Sequence, residues 1–167
     1  MKGAFAAVSF LRSFAVPASL LVSLAACTDQ SANTDRVPAS AAETKVTQVG
    51  VNDWRELAAT ASNDQLQRGK SLFQMCASCH GLEEGEMSPA GPSLYGMAGR
   101  RVGALDSYPY TQVLAKSERH WTVSHFQEFI ASPQEAYPGT GMAFAGIKAA
   151  EDRDAIAAYI ASRLPGI

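Results

Sequence analysis

Cys76-Ala77-Ser78-Cys79-His80 carries two thiols three residues apart, with an imidazole directly after the second. On one helical turn, such thiols can add to the two vinyl groups of a single porphyrin. The histidine then projects its ring to the iron on the same side, which is the spacing of c-type haem attachment. Two rival readings use part of the pattern. A thioredoxin-like Cys-x-x-Cys sits in a βαβ setting, and no strand alternation is visible around Cys76. A structural zinc site takes four ligands, and the one other cysteine, Cys27, makes no second pair. The motif predicts one covalent haem c on Cys76 and Cys79, with His80 as an axial ligand.

Working outward, Ser62-Asn63-Asp64-Gln65 reads as a capping box that opens a helix. That helix sets Leu66, Gly69, Phe73 and Cys76 on one face, spaced three and four apart. Thr122 caps a second helix, which buries Phe126, Phe129 and Ile130 and ends at Pro133. A third begins near Ala149, with Glu151 and Asp152 in its first turn, and ends at Arg163 before Pro165; these charges suit its dipole. Its apolar side is Ile156, Tyr159 and Ile160. Residues 91–109 are rich in Gly and Pro and should be irregular. The expectation is an all-α domain over 53–167, with three main helices and long loops wrapped around the haem.

For the sixth position the candidates are Met75, Met87, Met97, Met142, His120 and His125. Met75 adjoins the attachment motif on the His80 side, and Met87 follows His80 by too little chain to wrap a porphyrin. Met97, between Gly96 and Ala98, reads as a core filler. His120 and His125 read as surface or loop-bridging residues. Met142 closes the rigid loop Tyr137-Pro138-Gly139-Thr140-Gly141-Met142 and is the choice. A thioether there favours the ferrous state relative to a second histidine.

The chain starts with Lys2 and Arg12, then an apolar, small-residue run ending Leu24-Ala25-Ala26-Cys27. This predicts an export signal over 1–26. The ending is similar to a bacterial lipobox, which would make Cys27 an acylated lipid anchor. A plain signal peptide with an incidental cysteine, giving a soluble periplasmic protein, is a second reading. An uncleaved membrane helix is a third, interrupted by Arg12 and Pro17. Residues 27–52, with no aromatic residue and no sustained apolar period, read as a flexible linker. The formal net charge of −2 excludes nucleic-acid binding through a basic surface.

From Asn63 to Arg163 the chain resembles class I cytochromes c, in the branch of mitochondrial cytochrome c and its photosynthetic-bacterial relatives. The resemblance is carried by Arg68-Gly69-Lys70-Ser71-Leu72-Phe73, the motif at 76–80, Ala90-Gly91-Pro92-Ser93-Leu94-Tyr95-Gly96 and Ala98-Gly99-Arg100. It continues through Tyr110-Thr111, Trp121, the loop from Tyr137 to Ile147, and Arg153-Asp154-Ala155-Ile156-Ala157-Ala158-Tyr159-Ile160. It implies that Gly69 and Phe73 cross Ile156 and Tyr159, and that the Pro92 carbonyl accepts from the His80 ring. It implies that Arg100, Tyr110, Trp121 and Thr140 hold the haem propionates.

The same resemblance implies a one-electron carrier with both axial positions filled. A peroxidase-like enzyme would need a labile sixth ligand and a distal acid–base group, and a haem sensor would need an output domain. The implied partners are redox proteins such as a membrane-bound oxidase, a reaction centre or a quinol-oxidising complex. These would be met by a monomer on the periplasmic side of a bacterial membrane. Departures from the branch shape that expectation. Phe129 stands for a tyrosine near the methionine sulfur, and Leu114 for a buried asparagine. Gln134, Glu135 and Gly141 replace lysines of the methionine loop. From Asp53 onward there are 10 Lys and Arg against 13 Asp and Glu, so a strongly acidic docking partner is not expected.

Overall fold

In the computed structural model, residues 39–166 are described, and among them the regular structure is helical. The elements are α1 (Ala39–Thr60), α2 (Asn63–Ala77), α3 (Gln112–Ala115), α4 (Val123–Ala131), α5 (Pro133–Ala136) and α6 (Ala150–Ala161). Ser62 starts α2 in extended backbone, and its hydroxyl accepts from the Gln65 N–H at 3.2 Å. Thr122 starts α4 in the same way, accepting from the His125 N–H at 3.1 Å. Pro133 occupies the first turn of α5, where its missing N–H costs nothing.

The crossing of α2 and α6 organises the fold. A Cβ at Gly69 would lie 2.7 Å from both the Ala155 carbonyl carbon and Tyr159 Cβ, so only a glycine permits this approach. The Phe73 and Tyr159 rings lie 5.6 Å apart beside it. Ile156, Ala157, Ala158, Ile160 and Ala161 of α6 are buried almost completely, so burial extends beyond the apolar side read from the sequence. Burying a side chain such as Phe73 or Ile156 contributes about 1.5–3 kcal/mol. The Arg68–Asp152 ion pair at 2.5 Å ties the two helices at the surface, where such a pair adds little.

The chain between α2 and α3 has no helix and folds back on the segment before α4. Val102 N–H donates to Arg119 O at 2.8 Å, and Trp121 N–H donates to Arg100 O at 2.9 Å. An isolated antiparallel bridge joins Arg101 and His120.

Two expectations need correction. The linker assigned to 27–52 is too long: 39–52 belong to α1, and the ordered unit begins before Asp53. The helix docks through Gly50, the fully buried Trp54, and Leu57 and Ala58, which pack against the core; that face is confined to its second half, too short to stand out as an apolar period in sequence. It adds a long helix to the three expected. Arg163 lies beyond the end of α6 and pairs with Glu83, so it does not serve as a last-turn cation. The signal over 1–26, Cys27 and the rest of the linker up to residue 38 lie outside the described residues. Among the described residues, no helix is long and apolar enough to cross a membrane.

Candidate functional site

The site begins at the C-terminal end of α2. Cys76 lies in its last turn, and Cys79 and His80 follow as the chain leaves the helix, with His80 N–H donating to Cys76 O at 2.9 Å. Both cysteines are free and half-buried. Burial, reinforced by the neighbouring Cys79, pushes the Cys76 thiol up to about 11. A dithiol oxidoreductase needs the opposite shift, because its leading cysteine works as a thiolate near neutral pH.

His80 is aimed by the loop that follows. Its Nδ1 lies 2.7 Å from Pro92 O, so that nitrogen carries the proton and Nε2 keeps its lone pair. A Cβ at Gly91 would lie 2.6 Å from Cys79 O and 2.7 Å from His80 Cε1, so the absence of a side chain lets Pro92 come this close. Burial lowers the His80 pKa, with the Pro92 hydrogen bond opposing, and this favours the neutral ring that can ligate a metal. Among the described residues no group of three or more His, Cys, Asp or Glu could hold an ion alone. His80 can thus offer one nitrogen ligand to a metal that a cofactor carries.

Beyond it, donors gather without an acid to receive them. The Arg100 guanidinium donates to Tyr95 O and Ser93 O, each at 3.0 Å. It is half-buried, its pKa lowered by burial against the opposing influence of Tyr110. None of the ion pairs among the described residues includes it. Thr111 Oγ1 is buried with no hydrogen-bond partner among the described residues. The Cβ position of Gly141 on the methionine loop is 3.4 Å from Thr111 Cγ2. A desolvated guanidinium and an orphaned hydroxyl call for a buried anion that the protein does not itself supply. Haem propionates fit that requirement. In the sequence Thr111 carries no signal beyond its place in the resemblance; the burial of its hydroxyl is what marks it.

Thr140 is buried, and Met142 N–H reaches its hydroxyl at 3.4 Å. The side-chain amide of Gln134 donates to Thr140 O at 3.2 Å and to Met142 O at 3.3 Å, stitching the methionine loop shut. Cys76, Leu94, Tyr110, Trp121 and Met142 all pack, half-buried, against the one apolar core. Of the rejected sixth ligands, Met97 is a buried core residue, and Met75 and Met87 are exposed. His125 is not at the surface: it is 3% exposed, stacked on Trp121 at 4.9 Å, with Nδ1 held by His120 O at 3.0 Å. Its Nε2 meets the Tyr137 hydroxyl at 3.3 Å, which in turn meets Ser117 Oγ at 2.8 Å. Both ring nitrogens are thus engaged by protein.

The cytochrome c family model matches residues 66–163, more than half of the chain. The chain belongs to the cytochrome c family. It is 38% identical over 95 residues to a cytochrome c-550 of Nitrobacter winogradskyi, covering 57% of this chain and 87% of that protein. It is 38% identical over 92 residues to a cytochrome c2 of Rhodoblastus acidophilus, covering 55% and 86%. A cytochrome c of Arabidopsis thaliana is 35% identical over 95 residues, covering 56% and 85%. This cytochrome c is therefore a haem electron-transfer protein and not an enzyme, with one covalently bound haem c. The all-α architecture follows the family, and α1 lies outside the matched segment.

Proposed function

We propose that this cytochrome is a membrane-tethered carrier of single electrons in which Cys76 and Cys79 form the thioethers and His80 and Met142 are the axial ligands. The haem supplies the one-electron couple; the chain supplies ligation, orientation and exclusion of water. Each thiol S–H would add across a vinyl C=C bond of the haem, the hydrogen going to the neighbouring carbon, with no leaving group. The Pro92 carbonyl keeps the His80 ring in one tautomer and raises its basicity. Gln134 holds the loop that presents the Met142 thioether. Arg100, Tyr110, Trp121, Thr140 and, from its orphaned hydroxyl, Thr111 hold the propionates.

The observation that carries this reading is the His80–Pro92 contact at 2.7 Å, made possible by Gly91, on the residue that follows the paired thiols. Acylated Cys27 would hold the protein on the periplasmic side of a bacterial membrane, close to a membrane-bound oxidase, a reaction centre or a quinol-oxidising complex. With Gln134, Glu135 and Gly141 in place of lysines, docking would use an apolar or weakly charged patch. Mass spectrometry of the mature protein tests the reading. It should show one covalent haem and a lipid-modified N-terminal Cys27. Haem that extracts into acidified solvent would refute the attachment, and an unmodified Cys27 would refute the tether.

A further inference from the structure

The Trp121 carbonyl oxygen receives two donors from different parts of the chain. Gly99 N–H reaches it at 3.0 Å from the loop that leads into Arg100. Trp54 Nε1–H reaches it at 2.8 Å from α1. Trp121 N–H meanwhile donates to Arg100 O at 2.9 Å, so the two residues that the propionate assignment pairs are joined through their backbones at this knot. Trp54 is fully buried and meets Phe126 of α4 edge-on, with centroids 5.4 Å apart. One turn earlier in α1, a Cβ on Gly50 would lie 2.9 Å from Gly99 Cα and 3.6 Å from Trp121 O. Gly99 in turn, at φ +68°, would place a Cβ 2.9 Å from Val51 Cγ2. The helix lies so close over the knot that neither glycine can be enlarged without movement.

We infer that α1 is a strap across the haem-propionate donors, and that Trp54 is a positioning residue for Trp121 and Arg100. Helix α1 precedes the segment matched by the family model, so the fold's shared part does not demand it. Trp54, Leu57 and Ala58 do cover apolar surface, but α1 also places an indole N–H on a single carbonyl and a glycine against a single glycine. The inference rests on the proposed propionate role of Trp121 and Arg100. Donors held firmly against an ionised carboxylate offset its negative charge. When they loosen, that charge favours the ferric form and lowers the potential.

The test compares full-length haem-loaded wild type with Trp54→Phe, Gly50→Ala and Trp121→Phe, reading the reduction potential at neutral pH and amide hydrogen exchange. Trp54→Phe keeps an aromatic ring against Phe126 while deleting the donor and part of the buried ring volume. It should lower the potential in the same direction as Trp121→Phe and speed exchange at the Gly99 amide, while the covalent haem and the low-spin spectrum are retained. Gly50→Ala, which leaves Trp54 in place, should shift the potential the same way. If Trp121→Phe lowers the potential and both α1 variants leave it unchanged, α1 is packing alone and the strap is refuted. If Trp121→Phe itself leaves the potential unchanged, the propionate role of Trp121 fails, and the strap as stated, across both Trp121 and Arg100, fails with it.

Discussion

The His80 imidazole and the Pro92 carbonyl meet at 2.7 Å only because Gly91, beside them, has no side chain to come between Cys79 and the ring. The arrangement turns a backbone detail into a control on metal ligation. Gly91→Ala should push the Pro92 loop away, costing about 1–3 kcal/mol in stability. The weaker hydrogen bond makes His80 less basic, so the ferric form is favoured less and the reduction potential should rise. Denaturant unfolding and a redox titration of the same variant check the two parts separately.

The helix crossing gives a second outcome. At Gly69 a methyl group would meet the backbone of Ala155 and the Cβ of Tyr159, neither of which is the movable end of a side chain. Gly69→Ala should therefore destabilise the domain by about 1–3 kcal/mol while leaving the potential close to that of the wild type. Gly85, around which nothing lies within 4 Å, supplies the contrast, although its φ of +75° adds a small backbone penalty to Gly85→Ala. Urea unfolding of both variants should show the larger loss at Gly69.

Acid should act through His125. Burial lowers its pKa, helped by the Arg119 charge and opposed by the His120 carbonyl and Glu128; Trp121 and Tyr137 pack against it. The folded pKa is depressed below the reference of 6.5, so between the two values the unfolded chain binds a proton that the folded chain does not. Stability is thus complete above about pH 6.5 and falls as pH drops from there through the lowered pKa. His125→Gln should flatten that part of the pH dependence. Parallel unfolding curves for wild type and variant at neutral and mildly acidic pH decide it; equal slopes would remove His125 as the cause.

At the alkaline end, in the mitochondrial proteins that the chain resembles, a loop lysine displaces the methionine. Here the nearest lysine after the loop, Lys148, donates its ammonium to Ala131 O at 3.1 Å. Its backbone is pinned by Arg153, which donates to Ile147 O at 2.9 Å and to Lys148 O at 2.7 Å, and by Ile147 N–H on Ile130 O at 2.8 Å. Met142 should therefore stay bound to higher pH than in lysine-bearing relatives, with hydroxide in the eventual alkaline form. Electron paramagnetic resonance across an alkaline titration reads the ligand directly. A lysine-ligated low-spin signal at mildly alkaline pH would show that the pinning fails.

Much of the fold and of the site is legible in the sequence. Ser62 and Thr122 announced their helices because a cap is a local device, set by a few adjacent residues. The attachment motif was equally local. What stayed hidden was non-local. Trp54 reads as one aromatic residue in a polar stretch, and nothing in its neighbourhood reveals the Trp121 carbonyl it reaches, 67 positions away. His125 looked like a surface residue because its partners, the His120 carbonyl and Tyr137, come together only through the turn into α4 and the loop after α5. Thr111 gained meaning only when burial left its hydroxyl without a partner.

The most direct test of the central claim, a carrier with both axial positions filled by His80 and Met142, is exposure of the reduced haem-loaded protein to carbon monoxide, followed in the visible spectrum. Wild type should show no carbonyl complex, and a methionine-to-iron charge-transfer band when oxidised; Met142→Ala should keep its covalent haem, lose that band and bind carbon monoxide. Carbon monoxide binding by the wild type, or a Met142→Ala variant that stays low-spin and excludes it, would contradict the account.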